Sequence, residues 1–454
     1  MSVHAHAFGA SVLRNAVFTV LVGLSALAQQ ANMREAGGLI FLPAVSYDPG
    51  AAIARSLAVG DLNGDGKPDL VVTNICPSSD SGCFNGQYSS GDGVISVLLG
   101  NGDGTFQTAA TYDSAGGFPS SVALADVNAD GHLDVLIANE CAVGDCSRST
   151  VNLFLGKGDG TLMPGVTYYP GGSQQSSQYV SESSIVIGDV NGDGKLDLVV
   201  TNQCGPSTCE EGIVAVMLGN GDGTFRPGVV YDSGGDWPYS VKLADVNGDH
   251  KPDIVVTNCG PVNGGGCGDG VVGVLLANGD GTFQPVKLYS SGGTGATAIA
   301  VADVNHDGKL DLVVANYCGR RTVQACPGGG TVGLLLGKGD GTFLTAVSYP
   351  SGGFYPVSVT VADLNQDGKM DLLVANSGSA NIGVLIERAA GVFSAPLIYG
   401  SGGSIPSSLV AGDLNRDGKP DLVVANACGV DDCNEAAVGV LLNSAQTSPS
   451  TTVH

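Results

Sequence analysis

Seven copies of an acidic nine-residue segment dominate the chemistry that this sequence could support. Each copy has Asp at positions 1, 5 and 9 and Asn at position 3, and six copies have Gly at position 6. Carboxylate and amide oxygens on one tight turn suit Ca²⁺, which takes about six to eight oxygen ligands, and the first six positions match the start of an EF-hand loop. The copies are DLNGDGKPD (61–69), DVNADGHLD (126–134), DVNGDGKLD (189–197), DVNGDHKPD (245–253), DVNHDGKLD (303–311), DLNQDGKMD (363–371) and DLNRDGKPD (413–421).

We therefore predict up to seven Ca²⁺ sites, because three carboxylates gathered without a cation would repel each other. The alternative is that the segments are acidic Asx turns that bind no metal. His250 replaces the Gly at position 6, where the loop needs a positive φ, so the fourth site is predicted to be the weakest. The predicted ligands are Asp61, Asn63, Asp65, Asp69, Asp126, Asn128, Asp130, Asp134, Asp189, Asn191, Asp193, Asp197, Asp245, Asn247, Asp249, Asp253, Asp303, Asn305, Asp307, Asp311, Asp363, Asn365, Asp367, Asp371, Asp413, Asn415, Asp417 and Asp421.

The surroundings of every acidic segment predict four short strands, here named A to D. An alternating segment such as SVALA (121–125) comes before the acidic loop, and an apolar run such as LVVTN (70–74) follows it. A third apolar segment, such as VISVLLG (94–100), leads through a Gly-rich turn to a fourth that ends in Tyr. Segments that are short, rich in β-branched residues and bounded by Gly, Asn or Pro are typical of strands.

The repeat predicts an all-β fold, a closed seven-bladed β-propeller with four-stranded blades over residues 41–443. The first Asp residues are 50 to 65 residues apart, a spacing typical of propellers and solenoids. The seventh copy has no D strand, whereas a D-like segment, FLPAVSY (41–47), precedes the first A strand. We expect this N-terminal strand to complete the last blade and close the ring, since closure removes exposed sheet edges. An open solenoid is the alternative.

The N-terminus is typical of a secretory signal. Arg14 precedes an apolar run over 16–28 that ends in Ala-Leu-Ala, a positive segment, an apolar segment and a cleavage site in the usual order. We predict a cleaved signal over 1–28, with an uncleaved anchor or a buried helix as alternatives, a linker over 29–40 and a Ser/Thr-rich tail over 444–454. The run is shorter than the ~20 residues that a membrane span needs, so we expect an extracellular or periplasmic protein without membrane insertion.

Net charge limits the class of partner, and the cysteine pattern agrees with export. The net charge of −24 argues against nucleic acid or an anionic membrane as partner. The twelve cysteines form six close pairs, each in a B–C connection, and local disulfides are expected in an exported protein. Zinc ligation and free thiols are the alternatives. The pairs are Cys76/Cys83, Cys141/Cys146, Cys204/Cys209, Cys259/Cys267, Cys318/Cys326 and Cys428/Cys433.

The two ends of the strands carry different chemistry. In antiparallel blades the A–B and C–D turns lie at one end, so the acidic loops and Gly-rich turns share a face, and the cysteine-bearing B–C and D–A connections share the other. The recurring Phe and Tyr of the D strands are expected to pack between blades. Non-repeating residues on the second face are candidate ligand contacts, with inter-blade packing as the alternative for each aromatic: Phe118, Tyr179, Trp237, Tyr239, Arg320, Arg321, Phe354 and Tyr355.

The seven loops and their flanking strands resemble the FG-GAP/VCBS repeat family, which includes the N-terminal propellers of integrin α-subunits. The resemblance implies a calcium-binding, seven-bladed extracellular propeller over about 41–443. The Gly-Ala-Pro element of the family is not evident here, all seven copies keep the acidic loop, and no large domain is inserted. These departures favour stand-alone secreted relatives over integrin-style adhesion.

We predict a secreted calcium-binding module for a glycan or an extracellular protein, because fixed loops on a rigid frame are where binding residues usually lie. A carbohydrate-active enzyme, such as a polysaccharide lyase or glycosidase, is one alternative, since paired carboxylates could serve it. A structural role in surface assembly is the other. The six His residues lie near the N-terminus, in the acidic loops and at residue 454, so no Ser–His or Cys–His nucleophile is expected on the second face.

Overall fold

The computed structural model describes residues 41–77, 93–171, 183–203, 212–260, 268–318, 329–429 and 435–444. Within these ranges the chain forms 29 strands and a single 3₁₀ turn, Ser377–Ser379, so the predicted all-β class is confirmed. None of the helices in the described ranges could cross a membrane. The predicted signal (1–28) and linker (29–40), and all of the predicted tail except Ser444, lie outside the described residues.

The strands fall into seven consecutive units, each with one acidic loop between its first two strands. Unit 1 contains β2 (Ala51–Gly60), β3 (Asp69–Pro77), β4 (Val94–Leu98) and β5 (Ala110–Asp113). Unit 2 contains β6 (Gly117–Ala125), β7 (Asp134–Cys141), β8 (Thr150–Phe154) and β9 (Val166–Tyr168). Unit 3 contains β10 (Ile185–Gly188), β11 (Asp197–Asn202), β12 (Ile213–Met217) and β13 (Val229–Asp232).

The remaining units follow the same order. Units 4 and 5 contain β14 (Asp236–Ala244), β15 (Asp253–Cys259), β16 (Asp269–Leu275), β17 (Lys287–Ala302), β18 (Asp311–Cys318), β19 (Thr331–Leu335) and β20 (Val347–Pro350). Unit 6 contains β21 (Pro356–Ala362), β22 (Asp371–Asn376), β23 (Asn381–Leu385) and β26 (Leu397–Gly400), with the small hairpin of β24 (Glu387–Ala389) and β25 (Val392–Phe393) between the last two. Unit 7 contains β27 (Ser404–Gly412), β28 (Asp421–Cys428) and β29 (Ala437–Leu441), with β1 (Val45–Tyr47) as its last strand.

Within each unit the strands pair antiparallel in the order A, B, C, D. Five units form separate four-stranded sheets in the described chain. Units 4 and 5 form one seven-stranded sheet because β17 is the D strand of unit 4 and then the A strand of unit 5. Its first part pairs with β16 and its second part with β18, so each half belongs to a four-stranded arrangement like the others.

The first six residues of every B strand are buried, which explains the unbroken apolar sequences of these strands. In β11 (Asp197–Asn202), for example, all six residues are buried. A strand is apolar on both faces when its sheet is covered on both sides. Hydrophobic clusters of the described residues join units 1 and 2, 2 and 3, and so on to 6 and 7. A further cluster joins unit 7 to unit 1, where Val423 and Val438 pack with Leu70 and Val72.

The N-terminal segment pairs with the last C strand. Val45 lies opposite Val440 and Tyr47 opposite Val438 in the β1–β29 ladder. Phe41 forms an isolated bridge with Asn443. Tyr47 contacts Phe106 of unit 1 edge to face, with ring centroids 5.5 Å apart. The same D-strand aromatic contact recurs between other neighbouring units, as in the pairs Tyr168–Phe225, Tyr231–Phe283, Tyr289–Phe343 and Tyr349–Phe393. The recurring Phe and Tyr are therefore packing residues between units.

Candidate functional site

The acidic loops are built around the carboxylate at position 1. In the first loop, Asp61 Oδ1 accepts a hydrogen bond from the backbone N–H of Asp65 at 3.1 Å, and Asp61 Oδ2 accepts one from Gly66 at 2.7 Å. Asn63 Oδ1 accepts from the same Asp65 N–H at 2.9 Å, which is an Asx turn. Position 1 accepts from the N–H groups of positions 5 and 6 in each of the other loops too.

Two residues in every loop adopt a left-handed backbone, at positions 4 and 6. The expectation for position 6 is confirmed, since His250 has φ 63° and its N–H still reaches Asp245 Oδ2 at 2.8 Å. The requirement at position 4 was not foreseen, and four loops place a residue other than Gly there: Ala129, His306, Gln366 and Arg416, with φ between 59° and 64°. Backbone strain therefore does not distinguish the fourth loop from these four, and its ranking as the weakest site stays a prediction without that support.

The Asp at position 9 joins each loop to the end of the neighbouring C strand. Asp69 is fully buried; its Oδ2 accepts from Leu62 N at 2.9 Å and its Oδ1 from Gly100 N at 2.8 Å. The same two bonds form in all seven loops. Burial is the main cause that raises the pKa of these carboxyls, with a contribution from the acidic residues of the same loop; the pKa of Asp253 rises to about 6 and that of Asp371 to about 7.

The donor chemistry of the loops fits a hard divalent cation. Each loop supplies carboxylate and amide oxygens and no sulfur, and the seven loops are alike in their backbone hydrogen bonds. Each oxygen that accepts one N–H keeps a second lone pair. Three acidic side chains do not converge on one point in any described part of the chain. Instead the position-5 carboxylate contacts the position-7 Lys in several loops, as in Asp65–Lys67 at 2.9 Å, and such exposed pairs contribute little to stability.

The C–D turns lie on the same face as the acidic loops, which we name the acidic face. The bond from Gly100 N to Asp69 links turn and loop within a unit, and Gly160 N of unit 2 donates to Leu62 O of unit 1 at 3.2 Å. Within each Gly-Asp-Gly-Thr turn the Asp accepts from the N–H and the hydroxyl of the Thr two residues later, as Asp103 does from Thr105. These hydrogen bonds lower the pKa of the exposed Asp103 carboxyl, and they show that this Asp forms the hairpin.

The described parts of the B–C and D–A connections lie on the opposite face. Cys141 and Cys146 are joined by a disulfide. Cys76, Cys259, Cys318 and Cys428 are also disulfide-bonded. The cysteines predicted to pair with them, and the predicted pair Cys204/Cys209, lie outside the described residues: Cys83, Cys204, Cys209, Cys267, Cys326 and Cys433.

Some of the residues predicted to contact a ligand are packed in the structure, and others are exposed. Phe118 packs against Ile75 and Cys76, and Trp237 and Tyr239 are half-buried. Phe354 and Tyr355 are 49% and 38% exposed. Tyr179, Arg320 and Arg321 lie outside the described residues.

A repeated backbone feature underlies these positions. In the six units where it is described, one residue near the start of the A strand has a positive φ: Ile53, Phe118, Trp237, Gly295, Tyr355 and Ile405, with φ between 47° and 60°. A bulky residue in this region is uncommon and strained. Register shifts between the A and B strands follow this position. In the five of these units that have a side chain at this position, the feature fixes where that side chain lies on the opposite face.

Tyr317 is a candidate that sequence reasoning missed. Its ring stacks on that of Tyr355, with centroids 4.3 Å apart and planes 14° apart, and the residue is 42% exposed. Burial and the neighbouring Tyr355 raise the pKa of Tyr317. The sequence feature that could have indicated Tyr317 is its position directly after the Asn of a B strand, where no other unit has an aromatic residue.

Comparison with known proteins agrees with the repeat. The model of the FG-GAP-like repeat matches residues 87–137, 138–200, 189–256, 264–314, 323–374 and 363–424, and that of the FG-GAP repeat matches 54–98. No curated protein sequence matches the chain. BBS1N, solved in complex with ARL6DN, is similar over 90% of this chain and 99% of its own at 13% identity, with a TM-score of 0.50. The periplasmic gluconolactonase PpgL of Pseudomonas aeruginosa is similar over 76% of this chain and 85% of its own at 17% identity, with a TM-score of 0.50. These likenesses concern the propeller fold. Because the repeat models span most of its length, the chain belongs to the FG-GAP repeat family.

Proposed function

We propose that the chain is an exported, closed seven-bladed β-propeller that binds Ca²⁺ in its acidic loops and acts as a binding module for a glycan or an extracellular protein. The observation that carries the binding function is the cluster of exposed aromatic side chains on the opposite face, well away from the acidic loops. Exposed aromatic residues on a rigid frame are typical of recognition surfaces.

Closure of the ring is supported by the contacts between units 7 and 1. The pairing of β1 with β29 makes the last sheet four-stranded, and Tyr47 of that sheet contacts Phe106 of unit 1. The hydroxyl of Ser407 in unit 7 donates to Ala54 O in unit 1 at 2.8 Å. Equivalent bonds join units 2 and 3 and units 5 and 6. The seventh interface thus uses the same contacts as interfaces between units that follow one another in the chain.

Calcium binding is supported by the donor set and its repetition. Asp61, Asn63, Asp65 and Asp69, with the equivalent residues of the other six loops, would hold the cations. Bound Ca²⁺ would supply positive charge that offsets repulsion among three carboxylates in each loop. At free Ca²⁺ about tenfold above Kd, each site would add about 1.4 kcal/mol to the free energy of unfolding. Seven such sites together would add about 10 kcal/mol, comparable to the whole stability of a typical domain.

The metal part of the proposal is tested on the mature chain. Protein dialysed against EDTA is titrated with Ca²⁺ by isothermal calorimetry, and bound metal is counted by mass spectrometry. We expect several equivalents of Ca²⁺ and a melting temperature that rises with its concentration. A chain that binds none at millimolar Ca²⁺, and melts identically with and without EDTA, would refute calcium binding and favour acidic Asx turns.

The binding part is tested with immobilised glycans and matrix proteins, with assays for new reducing ends and for unsaturated products on the same polysaccharides. Retention without product supports a binding module, whereas new chain ends or unsaturated products would favour the carbohydrate-active enzyme. Light scattering of the same sample tests the surface-assembly role. That role predicts large homo-oligomers together with no binding in the glycan and protein assays.

A further inference from the structure

The sixth unit differs from the others on the opposite face. Its B–C connection is the shortest of the seven, since β22 ends at Asn376 and β23 begins at Asn381, with the 3₁₀ turn Ser377–Ser379 between them. It is also the only unit without a cysteine pair. The aromatic residues of the preceding D–A connection, Phe354 and Tyr355, lie directly on this short turn. Unit 6 therefore has no long B–C loop that would lie over them.

Three hydrogen bonds fasten those aromatic residues to the turn. Ser377 N donates to Tyr355 O at 2.9 Å, Gly378 N donates to Phe354 O at 3.0 Å, and Phe354 N donates to Ser379 Oγ at 2.9 Å. A Cβ at Gly378 would lie 2.5 Å from Tyr355 Cδ2, so glycine is needed for the close approach. Tyr355 has φ 56° and is followed by Pro356. The backbone that carries the two rings is therefore held rigidly.

A third ring, from the neighbouring unit, completes the surface. Tyr317 at the end of β18 stacks on Tyr355, and Phe354 meets Tyr355 with centroids 6.4 Å apart. We name Tyr317, Phe354 and Tyr355 the aromatic platform. The three residues are 42%, 49% and 38% exposed, although the aromatic side chains at the matching position of units 2 and 4, Phe118 and Trp237, are half-buried.

The chemistry of the platform selects among ligands. The segments that form it in unit 6, residues 351–357 and 376–381, contain no charged residue, and Ser377 and Ser379 add neutral hydroxyl groups. Flat rings beside neutral hydrogen-bonding groups suit a pyranose, which presents C–H groups on one face and hydroxyls at its edge. A chain of net charge −24 would repel a polyanion, and these segments offer no cation to pair with it.

We propose that the aromatic platform is a binding site for an uncharged polysaccharide, with sugar rings stacked on Phe354 and on the Tyr317–Tyr355 pair. This proposal rests on the proposed binding function and specifies its ligand class. Tyrosine rings whose backbone is already fixed lose little conformational entropy on binding.

The test is affinity electrophoresis of the calcium-supplied mature chain in native gels containing hydroxyethylcellulose, arabinoxylan, galactomannan or laminarin, with polygalacturonate as the anionic comparison. We expect retardation by at least one neutral polysaccharide and by none that is anionic. Phe354→Ala and Tyr317→Ala should each raise the apparent Kd about tenfold or more. Tyr169→Ala removes another exposed tyrosine, 54% exposed, from another part of the surface and should leave Kd unchanged.

Melting temperatures of all variants establish that they fold, and Phe354→Leu replaces Phe354→Ala if the latter does not. Retardation that survives both platform variants would overturn the platform and leave the binding function standing. Retardation by polygalacturonate alone, or binding only to a matrix protein, would overturn the uncharged-polysaccharide assignment and again leave the binding function. Loss of retardation in Tyr169→Ala as well would show a non-specific effect and count against the platform. Absence of binding to every glycan and protein tested would refute both.

Discussion

Replacing Phe41 with Ala tests whether the N-terminal segment holds the ring together. Phe41 is 5% exposed, packs in a cluster with Leu422 and Leu441, and meets Tyr399 of unit 6 edge to face at 5.2 Å. Truncating a buried Phe removes its transfer free energy and leaves a cavity, at a cost of about 3–5 kcal/mol. The neighbouring Leu42 is 47% exposed, so Leu42→Ala in the same segment should cost about 0.5 kcal/mol or less.

Urea unfolding followed by circular dichroism, in millimolar Ca²⁺ and with refolding checked, measures both values. A double-mutant cycle with Tyr399→Ala isolates the ring contact, for which we expect a coupling of about 0.5–1.5 kcal/mol. If Phe41→Ala costs no more than Leu42→Ala, and the coupling with Tyr399 is near zero, the N-terminal segment does not complete the last sheet and the ring is open there.

Three further perturbations separate the roles of the loops and the disulfides. Asp69→Ala leaves the buried N–H groups of Leu62 and Gly100 without acceptors and should reduce the free energy of unfolding by about 2–5 kcal/mol with or without Ca²⁺. Asp65→Ala, in contrast, should lower the melting temperature only in Ca²⁺. An equal fall in melting temperature in EDTA would count against metal binding at Asp65. In EDTA, melting scans should show lower stability at pH 8 than at pH 5. Burial raises the pKa of Asp253 to about 6 and that of Asp371 to about 7, so the stability that these carboxyls contribute below about pH 4 is lost as pH rises through these values. Ca²⁺ should weaken or reverse this trend, and a flat profile in EDTA would contradict the burial argument. Replacing Cys141 and Cys146 by Ser opens a disulfide with a sequence separation of 5 and should reduce the free energy of unfolding by roughly 2 kcal/mol, and an unchanged urea midpoint would show that the bridge is dispensable.

The repeat made most of the fold predictable. Four strands per unit follow from short apolar segments bounded by Gly and Asn, and the role of the D-strand Phe and Tyr follows from their constant spacing. The shared strand β17 was not predictable, because residues 290–293 have the sequence Ser-Ser-Gly-Gly, typical of a connection between two strands, whereas in the structure they continue one strand. Whether one strand or two forms there is decided by tertiary contacts and not by local sequence.

The loop chemistry was only partly readable from the sequence. The acceptor at position 1 and the positive φ at position 6 follow from residue type. Position 4 carries Gly in three loops and Ala, His, Gln or Arg in the others, so composition gave no sign that it is left-handed. The buried bond from Gly100 N to Asp69 joins residues 31 apart in the chain, and only the folded sheet brings them together.

The position of the Asp at the end of each loop links the two faces of the molecule. Asp371 Oδ1 accepts from the N–H of Glu387, two residues beyond the end of the C strand β23, and Asp371 begins the B strand β22. Those two strands run to the opposite face, where the turn Ser377–Ser379 connects them beneath Phe354 and Tyr355. A cation in the sixth loop would therefore brace the strand pair that carries the aromatic platform without touching it. Removal of Ca²⁺ should then weaken polysaccharide binding through loss of rigidity, and the loss should be matched by Asp367→Ala in the sixth loop but not by Asp193→Ala in the third.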